Sequence, residues 1–279
     1  MIFYFSATGN CKYAAQRIAA STGEAIHSIT ECVKQQQYHF SSDNGTVGII
    51  TPTYAWGLPS IVRDFLNELV LDEHPSYLWF LSTYGTTTGQ TGRFANEIMR
   101  KKGLSFAAYF SVKMPDTWTL TFDLSDPQKV RRINQNAEQE IDFAITKIRS
   151  RSVGDYMRNK VPTILAKVFY DLEYDAMRKT SHFRVENSCI GCGLCAKNCP
   201  VSTIEICNKK PVWVKDRCVM CLFLPAPLPE VRHSIRKPNE KARAIYKSER
   251  EMTVSIVETK KRNGIAFGLQ TGKAVRQST

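Results

Sequence analysis

Met1-Ile2-Phe3-Tyr4-Phe5-Ser6-Ala7-Thr8-Gly9-Asn10-Cys11 opens the chain. The apolar run from Ile2 to Phe5 reads as a short buried strand, and it stops at a Ser/Thr/Gly turn. Such a turn ends a strand because short hydroxyls bond to nearby backbone and glycine reaches conformations that other residues avoid. Residues 12–20 then carry Tyr13, Ala14 and Ile18 on one side, which predicts a helix. Strand, polar turn and helix in that order leave hydroxyls and backbone N–H groups at a helix N-terminus, a setting that suits a phosphate.

The same alternation continues outward. Residues 47–50 and 77–81 are apolar runs bounded by turn residues, as buried parallel strands are. Between them, Leu58, Ile61, Val62, Phe65, Leu66 and Leu69 recur at helical spacing and predict a helix over residues 58–71. A helix over residues 93–102 and a strand over residues 106–112 follow. Asp126 and Pro127 then head a long polar helix near residues 128–149, a cap with proline in the first turn. This pattern predicts an α/β domain over residues 1–150, a parallel sheet with helices on both faces. Residues 151–182 read as a connector. Val161, Ile164, Leu165, Val168, Phe169 and Leu172 give it an amphipathic helix whose apolar face is expected on the first domain. Binding to a membrane surface through Arg158, Lys160 and Lys167 is the weaker reading.

Composition is that of a globular protein, 43% hydrophobic and 23% charged over 279 residues. No basic leader with an apolar stretch begins the chain, and no run is apolar enough to span a bilayer. A cytoplasmic location is therefore expected, where clustered cysteines serve as metal ligands more often than as disulfides. The net charge of +12 invites a nucleic-acid reading, but residues 222–279 carry +7 of it, so no nucleic-acid partner is inferred.

Cys189, Cys192, Cys195 and Cys199, followed by Pro200, have the spacing C-x2-C-x2-C-x3-C-P. Soft thiolates at this spacing wrap an iron–sulfur cluster, whereas zinc sites use separated cysteine pairs. Gly191 and Gly193 allow the tight loop. Cys207, in a strand-like run, is expected to be a packed thiol. Residues 183–221 resemble a bacterial-type ferredoxin with two 4Fe–4S clusters. Val212, Trp213 and Val214 fit a return strand, and Cys218 and Cys221 begin a second motif. That motif then breaks, because positions 224 and 228 are leucines, each followed by a proline.

Codon logic offers a reason. Leucine codons TTG and CTG, read one nucleotide later before the CC of proline, become TGC, so Leu224 and Leu228 both turn into cysteine. Permitted codons for the segment then spell C-L-F-C-L-H-R-C-P-K-F-A-I, a complete motif. Met252-Thr253 in that frame always reads TGA, a stop. This predicts a one-nucleotide insertion near codon 223 or 224, with residues 224–279 out of frame. A genuine basic tail is the other reading. In the chain as it stands, Cys189, Cys192 and Cys195 would serve one cluster and Cys199, Cys218 and Cys221 the other, each set one ligand short.

The first loop, Ser6-Ala7-Thr8-Gly9-Asn10-Cys11, resembles the phosphate loop of flavodoxins, with Cys11 where that family has a hydroxyl. Two later loops agree: Thr51-Pro52-Thr53-Tyr54-Ala55-Trp56-Gly57-Leu58-Pro59 after the third strand and Ser82-Thr83-Tyr84-Gly85-Thr86-Thr87-Thr88-Gly89 after the fourth. The resemblance implies a doubly wound sheet of order 2-1-3-4-5 with FMN outside the carboxyl ends of its strands. It implies contacts from Ser6, Thr8, Gly9, Asn10 and Cys11 to the phosphate. It also implies contacts from Pro52, Thr53, Tyr54, Trp56, Thr83, Tyr84 and Gly85 to the flavin. Flavodoxin-like residues 1–150, connector 151–182 and a small α+β ferredoxin over residues 183–223 together resemble bacterial flavodoxin–ferredoxin fusion proteins. That implies electron transfer between FMN and 4Fe–4S clusters with redox proteins as partners. A flavin-dependent reductase is the alternative, with Tyr84, Asp116 and Trp118 lining a pocket. Asp116 is expected to be a solvated loop residue. A redox-inactive product of the broken motif is the third reading.

Overall fold

The computed structural model describes residues 1–42, 45–118, 122–185, 187 and 189–221. Residues 222–279, the stretch expected to be out of frame beyond residue 223, lie outside the described residues. The first 155 residues form β1 (Ile2–Tyr4), α1 (Asn10–Thr22), β2 (Ile26–Ser28), α2 (Ile29–Lys34), β3 (His39–Phe40), β4 (Thr46–Pro52), α3 (Ser60–Glu68), β5 (Val70–Leu71), β6 (Tyr77–Tyr84), α4 (Thr91–Arg100), β7 (Ala108–Lys113), α5 (Pro127–Arg149) and β8 (Gly154–Asp155).

Six strands make one parallel sheet of order β2-β1-β4-β6-β7-β8. Its five main strands have the expected doubly wound order, and β8 adds an edge. Successive side chains in a strand face opposite ways, so each central strand feeds two cores. Phe3, Phe5, Ile49 and Phe80 pack toward α2, α3 and α4. Ile2, Ile50, Trp79 and Leu81 pack toward α1 and α5. Asp126 caps α5 as predicted, its carboxylate accepting from the N–H groups of Gln128 at 2.9 Å and Lys129 at 3.2 Å.

The helix expected over residues 58–71 is shorter. Pro59 sits before its first turn, and Val70 and Leu71 leave it to pair with His39 and Phe40. That strand pairing spans about thirty residues of chain and has no local signature.

The connector holds α6 (Thr163–Phe169), a wider π turn (Tyr170–Tyr174) and α7 (Asp175–Met177). Its expected packing face is a correction. Ile164 is 82% exposed, and Leu165, Val168 and Leu172 are exposed too. Of that face, Phe169 packs on the first domain as expected, and Tyr170 and Tyr174, outside it, join it there. Phe169 stacks on Trp56 at 4.2 Å, Tyr170 lies 5.6 Å from Phe94, and Tyr170 stacks on Tyr174 at 5.2 Å. Aromatic rings bury more area than the aliphatic stripe and bring hydroxyls that find backbone partners. Tyr170 Oη donates to the Leu58 carbonyl at 2.6 Å.

Beyond the connector lie α8 (Leu194–Lys197) and an antiparallel hairpin, β9 (Ile204–Cys207) with β10 (Lys210–Trp213). The return strand falls where expected. Cys207 does not pack: it is exposed, because one face of this two-stranded ribbon has nothing against it among the described residues.

Gly48 sits mid-strand because a Cβ there would run into the Trp79 indole. Gly48→Ala is expected to lower unfolding free energy by about 1–3 kcal/mol, the usual cost of overpacking a core. Urea denaturation checks this, and an unchanged midpoint would contradict it.

Candidate functional site

Parallel pairing sends the ends of β1, β4, β6 and β7 to one edge, and the predicted loops meet there. Gly9 precedes α1 with φ +107°, a conformation that glycine alone adopts without strain. The Gly9 N–H reaches Ser6 Oγ at 3.2 Å. Thr8 Oγ1 lies 3.2 Å from Thr117 Oγ1, and Asn10 Nδ2 donates to the Pro115 carbonyl at 3.2 Å. The 115–117 stretch just after β7 thus completes the loop; of it the sequence reading named Asp116 but not Pro115 or Thr117. Its signal was position alone: a loop after a predicted strand.

Cys11 turns inward. It is 1% exposed, and its Sγ meets Thr83 Oγ1 at 3.1 Å. It therefore joins the first loop to the third from beneath rather than offering a group to a phosphate. Burial pushes its thiol up to about 12. Thr53 Oγ1 lies 2.8 Å from Ser82 Oγ, and the Thr53 N–H donates to the Thr83 carbonyl at 2.9 Å. Pro52 ends β4 just before it. Tyr84 is 5% exposed and its Oη accepts from Asn159 Nδ2 at 3.0 Å, so its ring lies below the edge. Gly85 leaves room for a neighbour, since a Cβ there would meet the Asp116 carboxylate. Asp116, expected to be solvated, is half-buried, accepts from the Trp118 N–H at 3.0 Å, and is raised by burial above the usual carboxylate range.

The middle loop is a two-residue hairpin. Tyr54 and Gly57 exchange N–H···O bonds of 3.0 and 2.8 Å, with Ala55 at φ 45° and Trp56 at φ 64°. Positive φ is uncommon for so bulky a residue. Trp56 is held there by the stack on Phe169 and by its carbonyl, which accepts from the Gln90 N–H at 2.8 Å. Tyr54 meets Phe5 at 6.3 Å and Tyr174 at 6.4 Å, both edge-on. Both aromatics therefore pack against the connector.

Cys195 and Cys199 share a small buried cluster with Ile204. Burial raises the Cys195 thiol, with Cys189 and Cys192 nearby. Burial likewise raises Cys218, with Cys199 beside it. Backbone N–H groups point at two sulfurs, Thr203 at Cys199 Sγ (3.2 Å) and Met220 at Cys218 Sγ (3.3 Å). Such bonds favour thiolate ligands and tune a cluster's potential. Gly191 has φ 70°, and a Cβ there would strike the Lys209 carbonyl. No cysteine is in a disulfide, and among the described residues no three metal-ligating side chains have closed to coordination geometry. The donor chemistry and the glycine-lined loop fit an iron–sulfur cluster. The open N-terminus of α1, with the Ser6 and Thr8 hydroxyls beside it, fits a phosphate.

The family model described as a flavodoxin domain matches residues 1–143. This chain belongs to the flavodoxin domain family. A second model, described as a 4Fe–4S binding domain, matches residues 183–205. A flavodoxin fold joined to a 4Fe–4S motif makes this a flavin and iron–sulfur electron-transfer protein. Solved structures similar to it include a flavodoxin of Fusobacterium nucleatum bound to flavin mononucleotide, at 15% identity over 54% of this chain and 96% of that one, TM-score 0.37. An archaeal flavodoxin shares 16% identity over 52% of this chain and 96% of its own, TM-score 0.33. The rubredoxin oxygen:oxidoreductase of Desulfovibrio gigas shares 18% identity over 52% of this chain, TM-score 0.32, and the match spans only 36% of that protein. No curated protein sequence matches the chain. No helix among the described residues is long and apolar enough to cross a membrane.

The thiol environments predict a labelling pattern. Iodoacetamide at pH 8 on the native, metal-free protein should modify exposed Cys192 and Cys207 and leave Cys11 untouched. The Cys11 thiol ionises more readily unfolded, near 9, than folded, near 12. Its contribution to stability is thus fully present below pH 9 and is lost as pH rises toward 12. Peptide mass spectrometry checks the pattern; early labelling of Cys11 would contradict it.

Proposed function

We propose that the chain relays electrons between 4Fe–4S clusters and FMN inside the cell, exchanging them with redox proteins. Iron–sulfur clusters pass one electron at a time and flavin holds one or two, so the pair converts between the two kinds of carrier. The observation that carries this reading is Tyr54, whose ring lies between Phe5 at the phosphate loop and Tyr174 at the second cysteine loop. Two kinds of redox site share one aromatic contact.

In this reading, Ser6, Thr8 and the N–H groups of Gly9 and Asn10 hold the FMN phosphate, while Thr53, the Tyr54–Trp56 hairpin and Gly85 edge the flavin ring. Cys189, Cys192 and Cys195 hold one cluster, and Cys199, Cys218 and Cys221 the other, each awaiting a fourth ligand. The one-nucleotide insertion would account for both missing thiolates at once. The reductase reading has one observation in its favour, the half-buried Asp116 carboxyl against Gly85, an acid–base group beside the flavin loop.

Protein reconstituted anaerobically with FMN, iron and sulfide should show flavin absorbance that bleaches once the clusters are reduced. Gly191→Ala should lower the iron content without lowering flavin, because only the cysteine loop is distorted. Failure to bind flavin at all would remove the FMN half of the proposal. Resequencing the gene across codons 221–253 tests the insertion. Codons that do not spell the missing cysteines in the shifted frame would sink it.

A further inference from the structure

The second cysteine loop is built into the first domain. Val219, between Cys218 and Cys221, is 1% exposed and shares an apolar cluster with Phe3, Phe5, Leu58, Ile61 and Phe65. Buried Tyr174 fixes that insertion. Its Oη accepts from the Ser60 N–H at 3.0 Å and donates to the Val219 carbonyl at 3.1 Å. A phenol donates once and also accepts, so both bonds form together. Ser60 begins α3, where N–H groups have no partner inside the helix. One hydroxyl therefore satisfies a donor of the α/β domain and an acceptor of the cysteine loop. Arg178 adds two bonds to Cys218: its Nε donates to the Cys218 carbonyl at 2.8 Å, and its own carbonyl accepts from the Cys218 N–H at 2.8 Å. Of the six candidate ligands, Cys221 packs on the same apolar cluster as Tyr54 and Val219, whereas Cys192 is exposed.

We infer that Tyr174 is a positioning residue that seats the Cys218–Cys221 loop against Tyr54, making the cluster of Cys199, Cys218 and Cys221 the flavin's direct electron partner. The redox half rests on the flavin–cluster reading; the seating rests on protein contacts alone. Each transfer moves one electron. With both groups bound, Cys199, Cys218 and Cys221 would hold a cluster able to take one electron from a low-potential donor and give it up to the flavin, and two such transfers, with protons from water, would reduce the flavin fully.

Tyr174→Phe keeps the ring and removes both bonds, while Tyr170→Phe removes only the bond to the Leu58 carbonyl. Hydrogen exchange on the full chain should be about tenfold faster in Y174F at peptides containing Ser60 and Cys218, the scale of losing two hydrogen bonds. Y170F should leave the Cys218 peptide unchanged. In protein loaded with FMN, iron and sulfide, titanium(III) citrate should reduce the flavin about tenfold more slowly in Y174F, with the flavin and iron contents unaltered. Unchanged exchange overturns the seating. Faster exchange with unslowed flavin reduction overturns the choice of cluster. Protein that binds neither cofactor overturns the flavin–cluster reading and the redox half with it, while the exchange data still decide the seating. Where Y174F does not fold, the Ser60 N–H of the unaltered chain, whose partner is Tyr174 Oη, should be protected from exchange, and its rapid exchange overturns the seating.

Discussion

Parallel strands cannot be joined by tight turns, so every connection in this sheet crosses back over a face before the next strand begins. The consequence is geometric. The ends of β1, β4, β6 and β7 all point to one edge, and the loops that follow them meet there. The hydroxyls of Ser6, Thr8, Thr53 and Thr117 gather at that edge above largely buried strands. Cys11 and Thr83 tie two of these loops together from below. Gly9 lets the first loop turn into α1, whose first turn has no side-chain cap.

That edge is also where the rest of the chain returns. The connector brings Phe169, Tyr170 and Tyr174 over the 54–57 hairpin, and the second cysteine loop follows them into the same cluster. Apolar burial drives the approach, through Val219 and the rings. The hydrogen bonds of Tyr174 and Arg178 set the register, because buried polar groups must find partners. The positive φ values of Ala55 and Trp56 fit this picture: a strained hairpin persists where its surroundings over-determine it.

β1, β4, β6 and β7 were legible in the sequence because each is a local apolar run, whereas the short β2, β3, β5 and β8 were not located. An apolar run ending in Ser, Thr and Gly declares both a strand and the turn that stops it, and Asp126-Pro127 declares a helix start. The cysteine spacing is local too. What the sequence left unread depends on distant partners. Val70 and Leu71 leave the helix for a strand only because His39 and Phe40 lie alongside. Ile164 and Leu172 obey helical spacing yet face outward, since Tyr170 and Tyr174 find backbone acceptors across the interface. Asp116 and Thr117 gain meaning only beside Gly85 and Thr8.

The central claim is that a flavin site and iron–sulfur sites share this edge. Crystals of the anaerobically reconstituted protein, measured at the iron absorption edge, test it most directly. The account predicts anomalous iron density within the Cys189–Cys195 loop and beside Cys199 and Cys218, with a flavin whose phosphate lies on Ser6 to Asn10. Iron at neither cysteine group, or a flavin bound elsewhere on the fold, would contradict it.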